Sequence, residues 1–154
     1  MTNADRFSAA LDRILELVVV LNDDMTRSLA KDGLTSSRAH LLWELQQRGP
    51  LTQRDLADAL RVSARNITGL VDGLVATGFV TREPHPTDRR ATLVSFTEHG
   101  AATAAGLARS QEEFARLLFA QMPEHRLDCF VAGLDDVLAR LREAGLHLPH
   151  EEET

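Results

Sequence analysis

Two groups of side chains in the middle of the chain have the chemistry to bind a nucleic acid. One is a run of short polar residues with a single arginine, and the other is a pair of adjacent arginines, Arg89 and Arg90. Guanidinium groups form paired hydrogen bonds with phosphate oxygens, and Arg and Asn side chains form similar pairs with base edges. The residue types therefore indicate recognition of phosphates and bases. The first group is Ser63, Ala64, Arg65, Asn66, Thr68 and Gly69.

Two short helices are predicted to position the first group. Thr52 is a good N-cap, and Asp55 three residues later gives an acidic variant of the capping box, which predicts a helix over 53–60. A tight turn follows, and Ser63 is a second N-cap. The apolar residues after it recur at a spacing that forms one helical stripe. They are Ile67, Leu70, Val71, Leu74 and Val75.

The face of the second helix opposite this stripe carries few long side chains. Two of its positions are Gly69 and Gly73, and a glycine inside a helix costs about 1 kcal/mol relative to alanine. An ordinary surface helix would have long charged residues there. The bare face therefore indicates that another molecule approaches closely. Its residues are Arg65, Gly69, Asp72, Gly73 and Ala76, with Asn66 and Thr68 at the flanks.

A β-hairpin is predicted to position the arginine pair. Gly78 suits the left-handed conformation that ends a helix, and Phe79 supplies the apolar contact that often follows it. Residues 79–82 and 91–96 are rich in Val, Thr and Phe, as strands are. Residues 83–90 include two prolines and an aspartate, which predicts the loop of a hairpin with the arginine pair at its far end.

A helix pair followed by an arginine-tipped hairpin is a shape that fits double-stranded DNA. The second helix can enter the major groove, which is about 12 Å wide, with its N-terminal residues against base edges. The hairpin can place an arginine in the adjacent minor groove, where a narrow A·T-rich segment concentrates negative potential. The expected partner is therefore double-stranded DNA, and no cofactor is predicted.

Four segments of this stretch form separate motifs: LTQRDLA from Leu51, LVDGL from Leu70, GFVTR from Gly78, and DRR from Asp88 running on to FTEHG, which ends at Gly100. Together they resemble the MarR family of regulators. The resemblance implies a mainly α-helical fold with a small β-hairpin wing. That fold is a winged helix-turn-helix with a helical dimerisation region formed by the N- and C-terminal helices.

The resemblance also assigns roles to individual residues. It implies that the first polar group lies on the recognition helix and contacts bases and phosphates, and that Arg89 and Arg90 form the DNA-binding part of the wing. Asp88 would brace the wing, and Asp72 would orient the arginines of wing and helix. The residues expected to support these contacts are Thr52, Gln53, Asp72, Arg82 and Asp88.

One position departs from the family pattern. Members often have an arginine directly after the acidic residue of the recognition helix, whereas this chain has Gly73. One phosphate contact is therefore either missing or supplied by Arg65 or Arg82.

Composition bounds the remaining possibilities. The 154 residues suit one compact unit, and an apolar content of 44% is enough to build a core. No apolar run approaches the ~20 residues that a membrane span needs, and the N-terminus lacks the apolar core of a secretory signal, so we expect a cytoplasmic protein with no membrane partner. One cysteine and no tyrosine exclude an internal disulfide and a paired-cysteine metal knuckle.

The net charge of −6 at first argues against a nucleic-acid partner. Its distribution changes this interpretation. Residues 51–97 contain six arginines and five acidic residues, whereas the rest of the chain contains eleven basic and eighteen acidic residues. Positive charge is therefore concentrated where contact is predicted, and we expect strongly salt-dependent binding.

Long helices outside this region are predicted to build a homodimer. Apolar residues recur at helical spacing in the segments before residue 30 and after residue 97, and the stripe over 124–144 is the cleanest. So much apolar surface is hard to hide in one chain, although a monomer with a helical cap is an alternative. The predicted regions are a dimerisation helix at 1–32, the DNA-binding domain at 33–97, dimerisation helices at 98–147 and an acidic frayed tail at 148–154.

Other function classes have weaker support. No residue set has catalytic spacing, so we predict that the chain is not an enzyme. His147 and His150 beside Glu151 offer a loose metal site, but Pro149 interrupts the pair and a solvated tail is favoured, so no metal is predicted. A protein-interaction module without specific DNA binding is the alternative function. Gly73 and the acidic total are compatible with it, but the intact Arg89-Arg90 pair argues against it.

Regulation by a small molecule is a further implication of the resemblance. Ligand-responsive members bind an effector between the winged and dimer regions, which points here to Arg13, His40, Trp43 and His99. Core packing is nevertheless the favoured role for Trp43, and a buried structural thiol is the favoured role for Cys129. The predicted function is a repressor that binds a pseudo-palindromic operator as a homodimer and is released by a small-molecule effector.

Overall fold

The computed structural model describes residues 2–146. The chain divides into two compact units, of which the first ends at His40 and the second begins at Leu41. The predicted tail at 148–154 and the histidine pair His147 and His150 lie outside the described residues.

Helix α1 (Asn3–Lys31) makes up most of the first unit. It begins with a reciprocal capping box in which the Thr2 hydroxyl accepts from the Asp5 main chain and the Asp5 carboxylate accepts from the Thr2 main chain. The hydrogen bond from the Thr2 main-chain N–H is the main cause that lowers the pKa of the Asp5 carboxyl group. Leu29 is the buried residue of this helix, while most of its apolar stripe is exposed.

The remaining elements alternate short helices with short strands and end in two longer helices. Gly33, Gly49, Gly78 and Gly145 adopt positive φ angles just after helices, where glycine is the least strained residue. The elements are α2 (Ser36–Arg48), β1 (Leu51–Thr52), α3 (Gln53–Leu60), α4 (Ala64–Ala76), β2 (Val80–Pro84), β3 (Thr92–Phe96), α5 (Glu98–Phe119) and α6 (Glu124–Glu143).

The three strands form one antiparallel sheet in the order β1-β3-β2. β2 and β3 are the predicted hairpin, with Val80 opposite Phe96 and Pro84 opposite Thr92. β1 was not predicted, and it pairs Leu51 with Val94. This pairing ties the start of α3 to the middle of β3.

The core of the second unit lies where α3 and α4 pack on each other and on the sheet. The predicted stripe of α4 is confirmed at its centre, where Ile67, Val71 and Leu74 are at most 1% exposed, but Val75 is 39% exposed. The largest fully buried side chains are Leu41, Leu42, Leu56, Ile67, Leu74, Val71, Val80 and Val94.

Helix α2 corrects one prediction. Trp43 is half-exposed and is not a core residue, whereas Glu44 is 8% exposed and pairs with Arg48 one turn later. The helix turns Leu41, Leu42 and Leu45 inward instead.

Helix α6 corrects the prediction made for Cys129. None of its residues is buried, and Cys129 is exposed, so the prediction of a buried thiol is wrong for the single chain. Phe119 at the end of α5 contacts Phe130 of α6, with ring centroids 5.9 Å apart. No helix within residues 2–146 is long and apolar enough to cross a membrane.

Candidate nucleic-acid interface

Side-chain caps set the starts of α3 and α4, as predicted. The Thr52 hydroxyl accepts from the Asp55 N–H at 3.1 Å, and the Asp55 carboxylate accepts from the Thr52 N–H at 3.3 Å. The Ser63 hydroxyl accepts from the Asn66 N–H at 3.1 Å. Between the helices, Arg61 adopts a left-handed conformation with φ of 52°. The short turn therefore fixes where α4 begins, at a cost in backbone strain.

The N-terminal half of α4 is open to solvent. An added Cβ at Gly69 would meet nothing within 4 Å. A groove surface could therefore approach the helix backbone closely at this point. All six residues predicted for the recognition surface are exposed: Ser63, Ala64, Arg65, Asn66, Thr68 and Gly69.

Arg82 joins the wing to both short helices. Its Nε donates to the Gln53 Oε1 at 2.9 Å, and its terminal nitrogen donates to the Asp72 carboxylate at 2.5 Å. The Gln53 amide nitrogen in turn donates to the Thr68 hydroxyl at 3.2 Å, and that hydroxyl donates to the Ala64 carbonyl oxygen. β2, α3 and α4 are therefore connected by one continuous chain of hydrogen bonds.

This arrangement bears on the missing arginine at Gly73. Two of the nitrogens of Arg82 are committed to Gln53 and Asp72, so this arginine holds the wing against α4 more than it reaches outward. Arg65 is exposed and is the better candidate for the substitute phosphate contact.

The loop of the wing is ordered by its own side chains. The Asp88 carboxylate accepts from the Arg90 N–H at 2.9 Å, which fits the predicted bracing role. The His85 Nδ1 accepts from the N–H groups of Thr87 at 3.2 Å and Asp88 at 3.0 Å. Arg89 and Arg90 follow directly and are exposed.

A cleft of about 500 Å³ lies between the start of α3 and the wing. Three arginines line it, Arg54, Arg82 and Arg90, with Asp88 as their acidic neighbour. Cationic side chains beside a helix N-terminus favour an anion such as a phosphate group. The other lining residues are Thr52, Gln53, Ala91 and Thr92. Among residues 2–146 there is no group of three or more His, Cys, Asp or Glu side chains that could hold a metal ion.

Thr97 ties the base of the wing to α5. Its hydroxyl accepts from the Gly100 N–H at 3.0 Å and donates to the Gly78 carbonyl oxygen at 2.6 Å. A Cβ at Gly100 would lie 1.8 Å from the Phe79 carbonyl oxygen. Gly100 is thus required for the backbone of α5 to approach the end of α4 this closely.

The residues predicted for an effector pocket fall in both units. Arg13 on α1 donates to the Ala9 carbonyl oxygen of its own helix. His40 ends the first unit, and Trp43 lies on α2 in the second. His99 lies against Phe79, with ring centroids 4.8 Å apart.

Neither the role of His85 nor the structural reason for Gly100 was predicted from the sequence. A histidine in a loop carries no strong sequence pattern. His85 nevertheless accepts hydrogen bonds from the N–H groups two and three residues later, as an Asx-turn residue does. The reason for Gly100 was also missed, since a close backbone approach leaves no periodic signal.

The short helix pair, the bare face of α4 and the arginine-bearing hairpin together define a winged helix-turn-helix. The family model for the MarR family matches residues 34–92. An HTH-type transcriptional regulator of Mycobacterium bovis, Mb0904, is 32% identical over 108 residues, which are 70% of this chain and 76% of that protein. The chain belongs to the MarR family, whose members are DNA-binding transcriptional regulators and not enzymes.

Relatives differ in the direction of regulation that their names state. The transcriptional repressor YetL of Bacillus subtilis is 28% identical over 145 residues, covering 91% of this chain and 87% of that protein. The transcriptional activatory protein BadR of Rhodopseudomonas palustris is 32% identical over 91 residues, covering 57% and 52%.

Solved structures share the fold over most of the chain. YusO of B. subtilis has a TM-score of 0.77 at 19% identity, covering 91% of this chain and 99% of that chain. FabT of Streptococcus pneumoniae in complex with DNA has a TM-score of 0.73 at 18% identity, covering 92% and 99%.

Proposed function

We propose that this regulator binds double-stranded DNA sequence-specifically, as a homodimer on a pseudo-palindromic operator. The observation that carries the proposal is the hydrogen-bond chain from Arg82 through Gln53 to Thr68, because it fixes the wing relative to the exposed start of α4. A helix and a wing held in a fixed relation can contact a major groove and the adjacent minor groove in one register.

The residues proposed to contact DNA divide into two sets. On α4, the recognition helix, Asn66 is suited to paired hydrogen bonds with an adenine, and Ser63, Ala64, Arg65, Thr68 and Gly69 form the surrounding surface. On the wing, Arg90 enters the minor groove beside Arg89. The residues that support them are Thr52, Gln53, Asp72, Arg82 and Asp88.

The homodimer is proposed because of the uncovered apolar side chains of the long helices. On α6 Leu134, Val137, Leu138 and Leu141 recur at helical spacing, and each is 36–40% exposed. Patches of this kind mark interaction surfaces, and a two-fold dimer would present two recognition helices to half-sites about 10 bp apart or a multiple of that distance.

The proposed outcome of binding is repression by blocking promoter access, in keeping with the repressor YetL. Release by a small-molecule effector is part of the proposal. Such an effector has to bind more tightly to a dimer whose recognition helices are wrongly spaced for the operator, and its effect cannot exceed that difference in affinity.

Selection of fragmented genomic DNA by the purified protein at about 150 mM salt tests the proposal, since non-specific binding is already weak there. Enrichment of a palindrome is the expected result. Salt-sensitive binding without any motif would favour the protein-interaction module instead.

Two variants then test the division of labour between helix and wing. Asn66→Ala is expected to cost about 1–3 kcal/mol and to relax the preference at one base position. Arg90→Ala is expected to weaken binding most at A·T-rich flanks. Equal, sequence-independent losses from both, in a gel-shift selection, would contradict these roles.

A further inference from the structure

The loop of the wing is organised around one imidazole. His85 is half-buried, whereas Pro84 and residues 86–90 are exposed. Its Nδ1 accepts hydrogen bonds from the N–H groups of Thr87 and Asp88, at 3.2 and 3.0 Å. The main-chain N–H of His85 donates to the Ala91 carbonyl oxygen at 3.2 Å, across the loop. His85 therefore holds the two sides of the loop and its tip at once.

These hydrogen bonds require one protonation state. A main-chain N–H can only donate, so the Nδ1 facing two such groups has to offer its lone pair, and the ring proton has to be on Nε2. Nδ1 is the same number of bonds from Cα as the Oδ1 of asparagine, so the imidazole acts here as an asparagine does in an Asx-turn. The difference is that an imidazole gains a proton and a charge between pH 8 and pH 5, and an amide does not.

The arginines proposed to contact DNA depend on this loop. Asp88 makes three hydrogen bonds in this loop. Its N–H donates to the His85 Nδ1, its carboxylate accepts from the Arg90 N–H, and its carbonyl oxygen accepts from the Ala91 N–H. The turn that orients Arg89 and Arg90 is thus closed at both ends by hydrogen bonds to His85 and Asp88.

We propose that His85 is a positioning residue for the wing arginines, and that protonation of its Nδ1 loosens the wing loop and weakens DNA binding at mildly acidic pH. The proposal rests on the proposed DNA-binding function. It adds a regulatory input, the proton, which acts on the wing itself.

The hydrogen-bond partners of the His85 ring and the nearest charged residues in the sequence come from the wing itself. Within residues 2–146 the hydrogen bonds of the imidazole all come from the wing loop. Its charged neighbours along the chain are Glu83, Asp88, Arg89 and Arg90, all exposed to solvent and its screening.

Protonation of His85 has a second effect, which would raise the affinity for DNA. A cationic imidazole near DNA adds an attraction to phosphates, which weakens as salt rises because it acts through counterion release. Loss of the two hydrogen bonds changes the shape of the loop and depends much less on salt. Measurements at two salt concentrations therefore separate the two effects.

The test compares His85→Asn, which keeps an acceptor that does not titrate, with His85→Ala, which removes it. Affinity for one fixed duplex is measured by fluorescence anisotropy from about pH 8 to pH 5.5, at about 100 and 250 mM salt. We expect the wild-type affinity to fall about five- to twentyfold relative to His85→Asn at the acidic end, and His85→Ala to bind weakly throughout. His125→Asn, at an exposed position on α6, should follow the wild-type profile.

A wild-type profile parallel to that of His85→Asn, or affinity that rises towards acid pH at both salt concentrations, would overturn the proposal. NMR of the free protein provides a readout that needs no DNA. The amide signals of Thr87 and Asp88 should titrate together with the His85 ring in the wild type and stay unchanged in His85→Asn. If these amides do not titrate, the proposal fails even for a protein that binds DNA well. If they titrate and no duplex is bound, the proposed function fails, and only the loosening of the loop by protonation remains.

Discussion

The winged region and helix α6 use similar apolar side chains in opposite ways. In the winged region Leu56, Ile67, Val71, Leu74 and Val94 are at most 1% exposed. Six apolar side chains of α6 remain 36–48% exposed: Phe130, Val131, Leu134, Val137, Leu138 and Leu141. The first region completes its core within one chain, while the second has an apolar stripe that a single chain leaves uncovered.

This difference shows what an apolar stripe does and does not establish. The periodicity of α4 and that of α6 are equally helical, but periodicity identifies only which face is apolar. What covers the face depends on contacts that the stripe does not encode. The winged region should therefore tolerate loss of the dimer, and the dimer should tolerate changes confined to the wing.

The sharpest test of the comparison places a charge in the stripe of α6. Leu138→Glu is expected to weaken the proposed dimer by about 4 kcal/mol, roughly a thousandfold, because the carboxylate would be desolvated without a partner. Light scattering after size-exclusion chromatography measures the mass, and circular dichroism checks that the chain remains folded. Asp136→Lys, on the opposite side of the helix, should remain dimeric. A Leu138→Glu protein of dimeric mass would contradict the proposed interface.

The winged region can be broken from within at Gly100. Gly100→Ala is expected to cost about 3 kcal/mol or more, since the new Cβ would lie 1.8 Å from the Phe79 carbonyl oxygen and a backbone atom cannot swing aside. Urea unfolding at a fixed protomer concentration measures the change.

Gly106→Ala on the same helix is the matched control. Its nearest neighbour would be the Arg109 side chain at 3.9 Å, so a gain of about 0.5–1 kcal/mol is expected from helix propensity. Equal effects at the two glycines would show that the close approach at Gly100 is unimportant.

A smaller effect is expected at the link between wing and helices. Arg82→Ala removes the hydrogen bonds to Gln53 and Asp72 and should lower the free energy of unfolding by about 1 kcal/mol, a modest value because Asp72 is largely exposed. Arg89→Ala should change stability by less than about 0.5 kcal/mol while still weakening DNA binding. Reversal of this order would place Arg89, and not Arg82, in the structural link.

The smallest effect is expected at the turn between α3 and α4. Arg61→Gly should raise the free energy of unfolding by about 0.5 kcal/mol, because glycine adopts the left-handed conformation without strain but loses more freedom on folding. Arg54→Gly, inside α3, should lower it by about 1 kcal/mol. Thermal unfolding curves measure both effects. If the two arginine-to-glycine substitutions change stability in opposite directions, the backbone of Arg61 is strained as described.

Much of the winged region could be predicted because its signals are local. Thr52, with Asp55 three residues on, and Ser63 each cap a helix as expected. Gly78 and Phe79 end α4 as expected, with the Phe79 N–H donating to the Leu74 carbonyl oxygen. Such features depend on a few adjacent residues, so the sequence around them is sufficient.

The features that escaped prediction depend on residues distant in sequence or on a second chain. β1 has only two residues, and its pairing with β3 leaves no alternation to detect. Arg82 reaches Gln53 across 29 positions, and no local pattern joins them. The expectation for Cys129, in the last helix, was a buried structural thiol, yet the single chain leaves that helix uncovered.

Thr97 forms a rigid connection between α4 and α5. Its hydroxyl is hydrogen-bonded both to Gly78, at the end of α4, and to Gly100, at the start of α5. At Gly100 the two backbones are in direct contact, with no room for a Cβ. Two helices connected this rigidly move together, so a rotation of α5 would rotate α4 through a similar angle. In the proposed two-fold dimer, the distance between the two recognition helices would then be set by the tilt of α5, far from the DNA.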